Sequence, residues 1–332
     1  MTASRARAAT SPTARSPRRA VHGVLLLDKG LGVSSNAALQ RARRLLRAEK
    51  AGHTGTLDPL ATGLLPLCFG AATKFAQVSL DADKRYLATL RLGVTTTTGD
   101  REGDVVRRVP DVTVERDALI RACERFVGEI DQVPPMHSAL KRDGKPLYEY
   151  ARAGIEVERV ARRVRIHSIR VVEGEADLWT IDIRCSKGTY IRTLGEDIGA
   201  ALGCGAHLDA LRRVASGALD IEAASTLAQL DGLDEASLDA RLLPPDALVA
   251  AWPRVVLTNE DAGRFLAGVR RRLDLDDAPA LRVYGPERGA FLGTGHVVAG
   301  ELIASRLLSP AEVGDLVAAR RQPHSVSESL FA

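Results

Sequence analysis

Apolar positions along this chain fall into two rhythms, and together they divide it into strands and helices. Val24-Leu25-Leu26-Leu27 is a short continuous apolar run that reads as a buried strand ending at Asp28-Lys29-Gly30. Ser34, Ser35 and Asn36 offer N-caps for a helix over about 36–48. Its apolar stripe is Leu39, Ala42 and Leu46, with Arg41, Arg44 and Arg47 elsewhere on its surface. The Gly/Thr/Pro-rich stretch 52–66 reads as a loop. From Lys84 to Gly93 the alternation is that of a strand, with Tyr86, Ala88, Leu90 and Leu92 on one face. A helix near 115–127 carries Leu119, Cys123 and Phe126 and stops at Gly128. Trp179, Ile181, Ile183 and Cys185 alternate as a half-buried strand. After Gly188 the period changes, and Ile191, Leu194, Ile198 and Leu202 line one helix face.

Pro244-Pro245 and Trp252-Pro253 punctuate the chain before a small C-terminal unit. There the pattern gives a strand at 254–257, a helix capped by Thr258, and short strands around 281–284, 290–293 and 296–298. Strands and helices mix without a regular βα repeat, so the fold class expected is α+β, around a mixed, largely antiparallel sheet.

Composition narrows the class without naming it. Lys and Arg total 46 against 42 Asp and Glu, a net charge of +4, so an anionic partner has to be argued from clusters. Residues 1–20 carry Arg5, Arg7, Arg15, Arg18 and Arg19 and no acid. That start resembles an organellar transit peptide, but a disordered basic tail is the simpler expectation. Cys68, Cys123, Cys185 and Cys204 form no CxxC pair and read as reduced, buried residues of a cytoplasmic protein. No apolar run approaches the roughly 20 residues of a membrane helix. Metal-ligand spacing, P-loop, complete GxGxxG and GxSxG are all missing, so any chemistry is expected to need neither metal nor cofactor.

The most informative segment is Gly52-His53-Thr54-Gly55-Thr56-Leu57-Asp58-Pro59-Leu60-Ala61-Thr62-Gly63. Pro59 biases Asp58 toward an extended backbone, and the glycines allow another backbone to approach. A carboxylate presented this way is most often just a turn. The whole string, however, closely resembles the signature of the TruB family of pseudouridine synthases. The resemblance continues through Lys84-Arg85-Tyr86, Gly93 to Gly103, Pro134 to Lys141, Tyr148 to Arg152, Ser186 to Arg192 and Gly205 to Arg213, spanning roughly 21–215. Two positions depart from it: Gly30 where the family often has proline, and His137 where it often has tyrosine.

The resemblance implies a tRNA pseudouridine synthase that isomerises a T-loop uridine, position 55 in tRNA numbering. Asp58 is then the catalytic carboxylate and Arg192 its cationic partner. Tyr190 corresponds to the tyrosine packed against the target base, and Tyr86 to a second active-site tyrosine suited to moving a proton at C5. His53 corresponds to the residue that wedges into the T loop as the uridine flips out, and Leu211 to an apolar residue of the base pocket.

The RNA expected is tRNA, held along its T arm and acceptor stem by a monomer. Arg41, Arg43, Arg44, Arg47 and Lys50 on one helix, and Arg162, Arg163 and Arg165, are candidate phosphate contacts. So are Lys141, Arg142 and Lys145 in the segment 134–160, which resembles the family's insertion over the T arm. The division expected is a catalytic domain at 21–246, a PUA-like unit at 247–318 with Arg270-Arg271-Arg272, and a tail at 319–332. The competing reading is a tRNA-binding folding chaperone whose catalysis is secondary.

Overall fold

Both faces of the strand Gly23–Lys29 are buried, and that explains its unbroken apolar run. In the computed structural model, which describes residues 17–321, Leu25 and Leu27 face one cluster with Leu39, Ala42 and Leu46. Val24 and Leu26 face another, with Leu64, Cys68 and Phe75. The strand lies in an eleven-stranded mixed sheet. Across it run the strands Ser225–Thr226, Gly23–Lys29, Ala61–Phe69, Ala206–Ser216, Lys84–Leu92, Leu178–Cys185, Arg162–Glu175 and Gly128–Gln132. Among the described residues only two strand pairings of this sheet are parallel, Gly23–Lys29 with Ser225–Thr226 and Ala61–Phe69 with Ala206–Ser216. The mixed, largely antiparallel α+β architecture is as expected.

Helices cover the sheet where periodicity places them. Ser35–Leu45 is capped by Ser34, whose hydroxyl accepts from the Ala37 N–H, and it ends earlier than 48, with Arg47 in the left-handed region at φ 50°. Ile191–Ala201 lays Ile191, Leu194 and Ile198 on Leu90, Ile181 and Ile183. Arg116–Glu124 buries Leu119 and Cys123 in the same cluster. Gly128 does not merely stop that helix; it opens the edge strand. Tyr86 and Leu211 pack between the cluster under Ile191–Ala201 and the one under Ser35–Leu45. Cys68, Cys123 and Cys185 are buried, and burial pushes each thiol up to about 12.

The expectation of a loop over 52–66 is corrected. Ala51–His53 and Ala61–Phe69 are paired strands, and only the stretch between them is irregular. Pro66 and Gly63 disguised the second strand. Gly63 sits at φ 98°, and a Cβ there would lie 2.2 Å from the Arg213 carbonyl oxygen of the neighbouring strand. A second correction concerns the C-terminal unit, where Phe291–Val298 is one strand and not two. Its interrupting glycines are demanded by close packing: a Cβ on Gly293 would meet the Arg306 carbonyl oxygen at 2.0 Å. On the basic helix Arg41 pairs with Asp231, and just past its end Arg47 pairs with Glu235. Arg44 and Lys50 remain exposed there. Of the tails expected at 1–20 and 319–332, residues 1–16 and 322–332 lie outside the described residues, while Arg19 bonds Asp239 and the last helix runs on to Arg321.

The five-stranded C-terminal sheet is fused to the large one by a shared apolar cluster. Phe291 stacks at 5.2 Å from Phe75 and 5.4 Å from Tyr284, and the Tyr284 hydroxyl donates to Asp246 at 2.6 Å. Lys74 adds bonds to the Leu307 carbonyl (2.9 Å) and Glu312 (2.6 Å). Phe291→Ala should therefore destabilise the whole protein by about 3–5 kcal/mol. Urea unfolding measures this, and a loss under about 1 kcal/mol would mean the seam is not closely packed.

Candidate active site

The loop between Ala51–His53 and Ala61–Phe69 is irregular yet tightly held. Ser35, buried at the start of its helix, exchanges two hydrogen bonds with Leu57: its hydroxyl donates to the carbonyl (2.9 Å) and accepts from the N–H (2.8 Å). The Thr54 N–H donates to the Pro66 carbonyl and the Ala61 N–H to that of Asp58. Leu57 and Leu60 are both buried, so the Asp58-Pro59 pair is anchored on either side. Beneath it Lys29, fully buried, donates to the carbonyls of Gly30, Val33 and, at 3.5 Å, Pro59. Burial pushes its ammonium down to about 8, while the carbonyls favour the protonated form.

Asp58 presents its carboxylate with 44% of the side chain exposed, and its Oδ2 meets Nη2 of Arg192 at 2.9 Å. Arg192 itself is 5% exposed. It starts the helix Ile191–Ala201, and its guanidinium is occupied on every side. Nη1 donates to the Thr98 carbonyl (3.0 Å) and Nη2 to the His137 carbonyl (2.6 Å). Nε faces Asp100 Oδ2 at 3.6 Å. Asp100 is buried and fixed by the Thr98 hydroxyl (2.6 Å) and the Glu102 N–H (3.1 Å). Among the described residues no donor meets the other oxygen of Asp58.

Asp58 and Arg192 line a cavity of about 400 Å³ together with Tyr86, Tyr190, Leu211 and Arg213. Tyr190 is tied through its backbone, its N–H donating to Gln132 Oε1 (3.0 Å) and its carbonyl accepting from Gln132 Nε2 (3.3 Å). Burial pushes both phenols up, opposed at Tyr190 by a Ser138 hydrogen bond and at Tyr86 by Arg213. His53 is the one expected site residue outside this lining. It sits on the short strand leading into the loop, opposite Leu67, with Nδ1 buried and no partner among the described residues. Burial, then the Arg213 charge, pushes its imidazole down. Ser35 was read only as a candidate cap, and Asp100 and Arg213 only as members of segments that carry the resemblance, with no role of their own.

Comparison with known proteins agrees with the fold. Residues 43–191 match the TruB family pseudouridylate synthase N-terminal domain, and 192–250 the C-terminal domain of tRNA pseudouridylate synthase B. Residues 253–308 match the C-terminal region of pseudouridine synthase II TruB. Among solved structures, a chain of a Cbf5-Nop10-Gar1 complex superposes with a TM-score of 0.67 at 26% identity, covering 89% of this chain and 87% of that one. These matches define an isomerase of the pseudouridine synthase class. The tRNA pseudouridine synthase B of Cupriavidus pinatubonensis is 60% identical over 304 residues, 89% of this chain and 96% of its own length. That of Azoarcus sp. is 57% identical over 293 residues, 88% and 97% of the two chains. The chain belongs to the TruB family, and its activity is pseudouridine formation in tRNA.

Lys29 gives the site a pH signature. Between its folded value of about 8 and its unfolded 10.5 it binds fewer protons folded than unfolded, so its contribution to stability rises with pH across that window. Relative to Lys29→Met, wild type should gain about 2–3 kcal/mol of unfolding free energy from pH 8 to 10.5. Paired urea titrations would reveal it, and parallel pH profiles would rule out a depressed lysine.

Proposed function

We propose that the chain isomerises the T-loop uridine at position 55 of cytoplasmic tRNAs, with Asp58 as the catalytic carboxylate acting on a flipped-out base. The observation that carries this is the Asp58–Arg192 pair at 2.9 Å, set in a cavity of about 400 Å³ flanked by two tyrosines. The reaction breaks the N1–C1′ bond, turns the uracil and rejoins it through C5, with nothing oxidised and nothing added. It needs a carboxylate that attacks C1′ or takes the 2′ proton. Either route uses an oxygen open to the substrate. Arg192 occupies Oδ2 and leaves Oδ1 for that work.

The other groups fit around such a substrate. The cavity has room for one nucleoside, with Tyr190 against the base, Leu211 in the apolar wall, and Tyr86 placed for proton movement at C5. His53, at the edge and with its Nδ1 unmet among the described residues, suits a residue that takes the place of the departing base in the loop stack. Exposed Lys141, Arg142, Arg162 and Arg165 offer phosphate contacts along the T arm, and Arg270 and Arg272 on the small sheet offer them to the acceptor stem. A monomer divided at about 246–247 accounts for both sets of contacts.

Asp58→Asn tests the assignment. Tritium release from tRNA labelled at uridine C5 should fall on the order of 10⁶-fold. Binding to a T-arm hairpin should stay within about threefold, because phosphate contacts dominate affinity. Activity within tenfold of wild type would remove Asp58 from the chemistry.

A further inference from the structure

Arg213 belongs to the segment that carries Leu211, yet nothing so far gives it a task. It is 1% exposed and heads the fully buried side chains by volume. Its backbone pairs in parallel with Gly63 on one side and antiparallel with Tyr86 on the other. Nε donates to the Leu64 carbonyl at 2.7 Å, and Nη2 to the Gly55 carbonyl at 3.3 Å, three residues before Asp58. The charge of the same guanidinium pulls the Tyr86 phenol back down against the push of burial. Among the described residues no carboxylate lies within ion-pair distance of it.

A buried cation without a counterion is costly, and methionine would fill comparable space without the charge. The guanidinium is suited to what it holds: five donors in one rigid plane can meet oxygens in three directions, which a lysine ammonium on a flexible stem does less well. We propose that Arg213 is a positioning residue, bracing the loop that carries Asp58 and the Tyr86 hydroxyl in fixed relation to one another. This rests on the reading that the cavity is the reaction site. The bracing oxygens come from the Asp58 loop and from the strand behind it, and the Arg213 backbone is paired with that of Tyr86, so the two groups stay in register as substrate enters. Gly63 makes the arrangement possible, because any side chain there would push the Arg213 backbone away.

The test compares Arg213→Met and Arg213→Lys with wild type in the full-length protein, using single-turnover rates on a T-arm hairpin, hairpin affinity and melting temperature. The brace requires the rate constant of Arg213→Met to fall at least 100-fold while affinity stays within threefold. Arg213→Lys keeps the charge but loses the fork, so its rate should recover at least tenfold over Met and remain at least tenfold below wild type. If Arg213→Met does not fold, the Lys variant decides alone: a wild-type rate overturns the proposal, and a tenfold loss at unchanged affinity supports it. Loss of rate in proportion to lost affinity would reduce Arg213 to a packing residue. Asp58→Asn runs alongside as the control. If it stays active the reaction site is elsewhere, whereas an inactive Asp58→Asn beside a fully active Arg213→Met sinks the brace alone.

Discussion

A guanidinium taken out of water must have its charge and its donors met, and Arg192 meets this demand by drawing three parts of the chain to its helix. Asp58 comes from the loop after Ala51–His53, Thr98 and Asp100 from the turn after the short strand Val94–Thr96, and His137 from the segment before Lys141 that borders the cavity. The arginine stands on the first turn of a helix whose apolar face is locked into the sheet. It is therefore the fixed point, and the pieces around it are the adjustable ones. The pairing is also unequal: the cation is buried while the carboxylate is nearly half open. An exposed pair contributes little and a fully buried one cannot meet a substrate. This one does both jobs because only one partner is buried.

The sheet supplies the rest of the geometry. Tyr86 and Leu211 lie on adjacent antiparallel strands, at the junction between two apolar clusters, and both line the cavity. Its floor is rigid because the central strands are paired on both edges, and its rim is irregular because loops enter from either side.

Much of this was legible in the chain itself. Trp179 to Cys185 and Ile191 to Leu202 declared their periods because one face of each meets a uniformly apolar core. Ala206–Ser216 did not, although it is central, because Arg212 turns to Asp28 and Arg213 to the Asp58 loop. The functional demand overwrote the hydrophobic pattern where the site is built. Arg162–Glu175 was hidden for a plainer reason, since much of it faces water and carries Arg, His, Ser and Glu. In the site, Asp58, Tyr86, Tyr190, Arg192 and Leu211 come to one cavity, but their roles were suggested by the family string and not by their chemistry. Ser35 shows the limit most clearly. It looked like a candidate cap, and its hydroxyl instead holds a loop twenty-two residues away.

The seam between the two sheets bears on how such proteins recombine. Phe75 stands on the large sheet's side of it, Tyr284, Phe291 and Leu316 on the other, and Asp246 on the connection takes the Tyr284 hydroxyl. A small sheet exchanged between relatives would arrive with rings cut for another surface, leaving voids and an unmet carboxylate. Modularity here extends only as far as the seam, and a transplant has to carry its matching half: Phe75, Asp246 and their neighbours travel with the graft or the chimera does not close.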